Sequence, residues 1–274
     1  MASNVFGQAI TEEVVEMLFP NANPITNLHR AEAALLHINA GEKATNVTTF
    51  VHNLKAAWGT GTSTLGMVYN ATGGTISLMR AHSWEGSAWR ASFPQVVQNG
   101  QWFGFLFVRN RLLGPAKGAL VYRGRDNSGS NRDWLISWDN TRMNYQNHVF
   151  AQVRLSTSLN SLNWATIDTL MLRQFNNFSV SENGGFASVG IGAGSSPEFV
   201  GILSLAGLSP RAMTHATDLS VIYPSLDSKY NDLDATEEGI DATEEGTEED
   251  DKKSSGAADA APPAAAAPSA TTTE

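Results

Sequence analysis

The sequence predicts a mainly β, α+β fold, namely a β-sandwich of actinoporin-like type with an N-terminal helical segment and a disordered acidic C-terminal tail. Three observations predict it. Apolar residues recur at helical spacing over residues 1–60, whereas from residue 61 they fall into strand-length runs separated by glycine-rich turns. Residues 225–274 contain almost no large apolar side chains. We therefore expect boundaries near residues 60 and 224.

Three helical patterns lie in the first segment. Residues 11–19 form a short amphipathic pattern, and residues 28–40 are rich in Ala, Leu and Glu, with Asn27 as a cap and Gly41 as a stop. The third pattern is the strongest, because its apolar residues follow the i, i+3, i+4, i+7, i+11 spacing of one helix face. Those residues are Val47, Phe50, Val51, Leu54 and Trp58. We expect this face to pack on the sandwich.

The strand patterns begin near Ser63. Residues 65–70 and 75–80 flank Ala-Thr-Gly-Gly, a combination that predicts a β-hairpin. A fourth helix is predicted over residues 164–173, where apolar residues recur at helical spacing. The remaining strands are predicted at 101–110, 118–123, 133–138, 149–155, 178–181, 186–192 and 198–205.

The formal net charge of −9 is concentrated in the tail. From Asp227 to the end the sequence has 14 acidic and three basic residues, whereas the preceding part has 13 acidic and 15 basic residues. An acidic, low-complexity segment of this kind buries too little apolar surface to offset the entropy of ordering, so we expect it to be disordered. The near-neutral body does not indicate a nucleic-acid partner.

No motif in the sequence indicates an enzyme or a cofactor. The chain has no cysteine, its Gly-x-Gly runs lack a dinucleotide fingerprint, and its six histidines lack metal-ligand spacing. We expect no catalytic residue, no cofactor and no metal. No apolar run reaches the roughly 20 residues of a membrane-spanning helix, so an integral membrane protein is not expected. The N-terminus does not resemble a secretory signal, which predicts a cytoplasmic protein, with the nucleus as an alternative.

Aromatic and polar residues are concentrated in two stretches. One contains Ser83, Trp84 and Trp89, and the other runs from Trp134 through Trp138 to Tyr145, Asn147 and His148. Indole and phenol rings at strand ends suit stacking on sugars or contact with a choline cation. For Trp84, Trp89 and Tyr145 this interpretation and simple core packing are equally favoured, whereas Trp102 and Trp134 are expected in the core.

Four blocks carry a family resemblance. Leu-Gly-Met-Val-Tyr-Asn-Ala-Thr-Gly at 65–73 and the blocks at 99–108, 118–124 and 133–138 together resemble the plant 23 kDa jasmonate-induced proteins, over most of residues 1–205. This resemblance implies a role in stress response or plant defence. The acidic tail departs from it.

The same stretch is similar to actinoporin-like β-sandwiches, which implies a site for a phosphocholine-type lipid headgroup. By position, Ser137 and Tyr145 match headgroup-contacting residues of that fold. The proline and the aromatic-rich run expected after the serine are replaced by a polar run, which puts phosphocholine specificity in doubt and favours a glycan as the alternative ligand. The candidate ligand-binding residues are Ser137, Tyr145, Trp84, Ser83, Asn147 and Trp138.

The leading hypothesis is a non-enzymatic, lectin-like or lipid-binding defence protein that holds a glycan or a membrane lipid headgroup through loops of the sandwich. One alternative is an actinoporin-like pore-forming protein. Its inserting helix would be residues 11–19, about 14 Å long, against a hydrocarbon core of about 30 Å. Another alternative is a chaperone-like interaction through the acidic tail. The oligomeric state does not follow from the sequence.

Overall fold

The computed structural model describes residues 4–141, 146–217 and 219. Tyr145 and the predicted tail at 225–274 lie outside the described residues. The elements in chain order are β1 Val5–Phe6, α1 Glu12–Leu18, α2 Asn27–Leu36, α3 Lys43–Trp58, β2 Ser63–Ala71, β3 Ile76–Glu85, β4 Ser87–Ala88, β5 Val96–Val97, β6 Trp102–Val108, β7 Ala116–Arg125, β8 Asn131–Asn140, β9 His148–Leu155, α4 Trp164–Met171, β10 Asn177–Glu182, β11 Gly185–Ile191, β12 Glu198–Leu205 and α5 Pro210–Thr217.

Two sheets face each other across the core, so the predicted β-sandwich is confirmed. The first sheet has the order β1-β6-β2-β12-β11-β10, with β4 also paired to β6, and the second has the order β5-β3-β7-β8-β9. All pairs are antiparallel except β12 with β2, which run parallel. The last strand of the sandwich therefore lies in the middle of the first sheet, beside the first long strand.

The predicted hairpin between residues 65–70 and 75–80 is wrong, because β2 and β3 belong to different sheets. Both edges of β2 are already occupied, by β6 and by β12, so none is left for β3. The Asn70 side chain shapes the connection instead. Its Oδ1 accepts hydrogen bonds from Thr72, and its Nδ2 donates to the Gly74 carbonyl at 2.9 Å. The glycine-rich turn thus directs the chain from one sheet to the other.

The predicted face of α3 packs on the first sheet. Val47 and Val51 are fully buried, and the other three predicted residues are half-buried against the same cluster. They fit closely because β6 has Gly104 at this point, where a Cβ atom would lie only 2.9 Å from a methyl carbon of each valine. The neighbouring α2 is capped by Thr26, one residue before the predicted Asn27, and ends at Leu36.

The interior of the sandwich is strongly aromatic. The ring of Trp138, on β8 of the second sheet, contacts three rings of the first sheet and one of the β4–β5 connection, with centroid separations of 5.0–6.5 Å. They are Phe105, Phe107, Phe199 and Phe93. Trp102 and Trp134 are fully buried, as the sequence predicted. Large aromatic side chains therefore supply much of the apolar area that the sandwich buries.

The outer face of the second sheet is also covered over β7, β8 and β9. Val121, Leu135 and Phe150 point away from the sandwich interior and pack against Ile167 and Met171 of α4. A sheet buried on both faces needs apolar or paired side chains at every position, which is why residues Asp133–Asn140 of β8 are all buried. The charges on the covered part of this face are accordingly paired, Arg123 with Asp133 and Lys117 with Asp139 and Asp168.

Replacing Gly104 with Ala should destabilise the protein by about 1–3 kcal/mol, because the added methyl group overpacks the contact between α3 and β6. Gly74→Ala is the matched control, since a Cβ atom at Gly74 would meet nothing within 4 Å. Urea unfolding of both variants measures the difference. Equal stability of the two would show that α3 does not press on the sheet at this point.

Candidate ligand site at one end of the sandwich

Four connections meet at one end of the sandwich, which we call the loop end. They are the β6–β7, β8–β9 and β11–β12 connections and the segment between α4 and β10. Strand register brings them together: Ala116 at the start of β7 lies opposite Asn140 at the end of β8, and Asp139 lies opposite His148 at the start of β9. Residues far apart in sequence are thereby placed around one rim.

A cavity of about 190 Å³ opens at the loop end. A volume of this size has room for a small headgroup or a single sugar ring. Side chains and backbone from three connections line it, namely Gln146, Asn147, Phe175, Asn176, Gly192 and Ala193.

Asn147 provides the buried polar group of this cavity. It is 2 % exposed, and its Nδ2 donates to the carbonyls of Gly192 at 2.8 Å and Gly194 at 3.2 Å. Its Oδ1 is buried and has no hydrogen-bond partner among the described residues. Asn147 therefore fixes the β8–β9 connection to the β11–β12 connection, whereas the amides of the exposed Gln146 and Asn176 are those of the cavity lining that a ligand can reach.

Phe175 forms an apolar rim beside the cavity. Its side chain is 74 % exposed, although the backbone around it is held firmly. The Phe175 carbonyl accepts from Val149 N at 3.2 Å, and the Asn176 carbonyl accepts from Ile191 N at 2.8 Å. The segment is thus tied to β9 on one side and to β11 on the other, while the ring faces solvent.

A buried charged row lies beneath α4 near the same end. Lys117 of β7 forms ion pairs with Asp139 of β8, at 2.9 Å, and with Asp168 of α4. Burial raises the pKa of Asp139, and the Lys117 ammonium opposes this rise. Burial alone would lower the pKa of Lys117. The hydrogen bonds and charges of Asp168 and Asp139 outweigh this effect, so the pKa of Lys117 is raised. The row fastens α4 to the second sheet.

Trp84 belongs to an aromatic cluster next to this row. His82 stacks on Trp164 with ring centroids 4.2 Å apart, and the Trp84 ring meets both edge-on. The Lys117 ammonium lies 5.8 Å from the Trp84 ring centroid. Burial lowers the pKa of His82. Trp84 therefore packs under α4 and does not line the cavity.

Two of the sequence-predicted site residues are inaccessible. Ser137 is 0 % exposed and donates its hydroxyl to the Phe150 carbonyl at 3.2 Å, and Trp138 is 0 % exposed in the sandwich interior. Their assignment to a ligand pocket is wrong, because successive residues of a strand point to opposite faces and both faces of β8 are buried. Ser83 is exposed, but its hydroxyl donates to the Gly86 carbonyl within its own turn.

Among the predicted residues that the structure describes, only Asn147 lies at the cavity. Tyr145 lies outside the described residues. The sequence reasoning missed Phe175, Asn176, Gly192 and Ala193. One signal was present, since Phe175 is an isolated aromatic residue between Gln174 and two asparagines, and such a residue is typical of an exposed contact. Among the described residues, no cluster of three or more His, Asp or Glu side chains could hold a metal ion.

The comparisons with known proteins agree with this architecture. A family model described as Nakanori-like protein matches residues 6–206. The chain belongs to the Nakanori-like family. The matched range takes in the sandwich and all four connections of the loop end, so the cavity is part of the family domain.

Two relatives extend this result. The 23 kDa jasmonate-induced protein of Hordeum vulgare is 35 % identical over 191 residues, which are 69 % of this chain and 90 % of that protein, and this confirms the resemblance noted from the sequence. The crystal structure of the lipid binding protein Nakanori superposes with a TM-score of 0.66 at 23 % identity, covering 73 % of this chain and 99 % of that one. At this identity the second likeness shows the fold.

Lys117→Met should destabilise the protein by roughly 3 kcal/mol at neutral pH, because Asp139 is left buried without its cation. The loss should shrink in acid. The pKa of Asp139 is raised in the folded state, so on acidification the folded protein binds this proton before the unfolded chain does. The destabilisation by the buried carboxylate therefore grows as the pH rises above 3.8, the ordinary pKa of Asp, and disappears below it. Urea unfolding at several pH values measures this dependence.

The double variant Lys117→Met, Asp139→Asn is the control, because its amide carries no charge to bury. We expect it to recover part of the lost stability and to lose the added pH dependence. A deficit of Lys117→Met that stays constant across pH would contradict the role assigned to Asp139.

Proposed function

We propose that this chain is a stress-induced, non-enzymatic protein that binds the headgroup of a membrane lipid in the loop-end cavity. The observation that carries the proposal is the cavity itself, whose described lining combines the exposed amides of Gln146 and Asn176 with the exposed Phe175 ring. The relatives support it, since one is named for jasmonate induction and another is titled a lipid binding protein.

The chemistry of the cavity favours a neutral or zwitterionic headgroup. Its described lining includes amide side chains, glycine backbone and a phenyl ring, and no charged side chain. The exposed Gln146 and Asn176 amides can accept hydrogen bonds from a headgroup hydroxyl or N–H group, and an aromatic face attracts an ammonium group by about 0.5–2 kcal/mol. A sugar ring could meet the same requirements, so the glycan alternative shares the site and is separated from the lipid by experiment.

Phe175→Ser should weaken binding to vesicles about tenfold or more, because the ring provides apolar contact area worth roughly 1.5–3 kcal/mol when it is covered. The melting temperature should change little, since the ring is already exposed. Co-sedimentation with vesicles of phosphatidylcholine, phosphatidylethanolamine, sphingomyelin or a glycosylated lipid measures the effect, with free sugars as competitors.

Leu155→Ser is the matched control, because Leu155 is also exposed but ends β9 at the opposite end of the sandwich. It should bind vesicles like the unaltered protein. Displacement by a free sugar would assign the cavity to a glycan. Failure of the unaltered protein to bind any of these vesicles would refute the lipid proposal.

The cellular location remains a prediction. We propose that the protein acts in the cytoplasm, with the nucleus as the alternative, and a fluorescent fusion of the full chain distinguishes the two.

A further inference from the structure

The β6–β7 connection exposes two adjacent leucines at the loop end. Leu112 is 64 % exposed and Leu113 is 39 % exposed. Leaving large apolar side chains in water is unfavourable, and a protein that positions such residues at one end commonly uses them in an interaction. Four of the eight large apolar side chains that are exposed in the described part of the chain lie at this end, the other two being Leu172 and Phe175.

The leucines are held outward by a defined loop conformation. The Arg111 guanidinium forms two hydrogen bonds to the Glu85 carboxylate, at 2.8 and 2.9 Å, and Gly114 N donates to the Arg111 carbonyl at 3.0 Å. Leu113 has φ +64°, a left-handed conformation that a leucine adopts rarely and at a cost in free energy. The loop therefore displays its apolar side chains at the expense of local backbone strain.

The arrangement fits a lipid bilayer better than a folded partner. Leu112 and Leu113 come from one connection, and Leu172 and Phe175 come from another, so the apolar side chains project from the rim as separate groups. Fluid acyl chains can fill the spaces between such groups, whereas a rigid protein surface would need a contiguous patch. Among the described charges near the rim, Arg111 is paired with Glu85, whereas Arg109 and the exposed Arg173 add positive charge. A phospholipid surface provides phosphate groups of the opposite sign, including a zwitterionic surface with no net charge.

We propose that the β6–β7 connection is a membrane anchor, with Leu112 and Leu113 entering the outer acyl layer while a headgroup occupies the cavity. The anchor rests on the proposed function and adds to it a second point of contact that is independent of headgroup identity. Two contacts on one surface reinforce each other, because the second forms without a new encounter.

The chain has no cysteine, so a single introduced one can be labelled selectively. Leu112→Cys carries an environment-sensitive fluorophore, and Val96→Cys is the matched control, being 53 % exposed on β5, away from the loop end. On phosphatidylcholine vesicles we expect the label at 112 to move to an apolar environment and to be quenched by a quencher attached to the acyl chains. The label at 96 should stay in water.

A second measurement avoids the fluorophore. Leu112→Ser combined with Leu113→Ser should lower the vesicle partition coefficient about tenfold or more, whereas Val96→Ser should leave it unchanged. The serine side chains remove apolar area without touching the cavity, so the loss should be similar on vesicles of different headgroups.

The outcomes separate the two proposals. Vesicle binding that depends on Phe175, with the label at 112 remaining in water and the double serine variant binding normally, would overturn the anchor and leave the headgroup site standing. Loss of vesicle binding in the double serine variant but not in Phe175→Ser would support the anchor and refute the cavity as the headgroup site. A label at 112 that becomes shielded at high protein concentration without vesicles would assign the leucines to self-association and overturn the anchor. Absence of vesicle binding by the unaltered protein would overturn both.

Discussion

The packing of Trp138 in the sandwich interior is the constraint on which the rest of this structure depends. Its ring fills the space between the two sheets, and β7 accommodates it only because Gly118 has no side chain: a Cβ atom there would lie 2.7 Å from the indole. Once Trp138 points inward, the alternation of the strand sends Asp139 outward beneath α4. Lys117 must then lie opposite it, and the charged row, the position of α4 and the segment that holds Phe175 follow from that pairing.

The domain combines a closely packed scaffold with connections that add little to its core. The sandwich is closed by apolar packing on both faces of its second sheet, whereas the cavity and the exposed leucines lie on connections whose residues contribute little to that packing. Such a division lets ligand preference change while the fold is kept, because connections tolerate substitutions that a packed core does not. A shared fold at 23 % identity therefore does not specify the ligand, which depends on the residues that line the cavity of this chain.

Some of this architecture follows from local sequence and some does not. The strand 198–205 and the face of α3 were predictable, because each has an uninterrupted apolar pattern of the right period. The prediction of a β2–β3 hairpin was wrong because strand pairing depends on which strand edges are already occupied. A glycine-rich turn carries no information about that. Ser137, chosen by its position in the resemblance, and Trp138, in the aromatic-rich stretch, were wrong for a simpler reason: they point to opposite faces of β8, and both faces are buried. The cavity was beyond local reasoning, because its lining comes from three connections brought together only by strand register.

The parallel pairing of β12 with β2 has a consequence for synthesis of the chain. Every residue of β2 is buried, yet one of its edges stays without a partner until Glu198–Leu205 has left the ribosome, roughly 130 residues after β2 itself. At 5–20 residues per second, this interval is on the order of ten seconds. During that time the nascent chain presents an open, apolar strand edge, which is a substrate for chaperones and for mispairing with neighbouring chains. The first sheet is therefore completed only by the final strand, and the speed of translation through the residues between β2 and β12 sets how long the edge of β2 stays open.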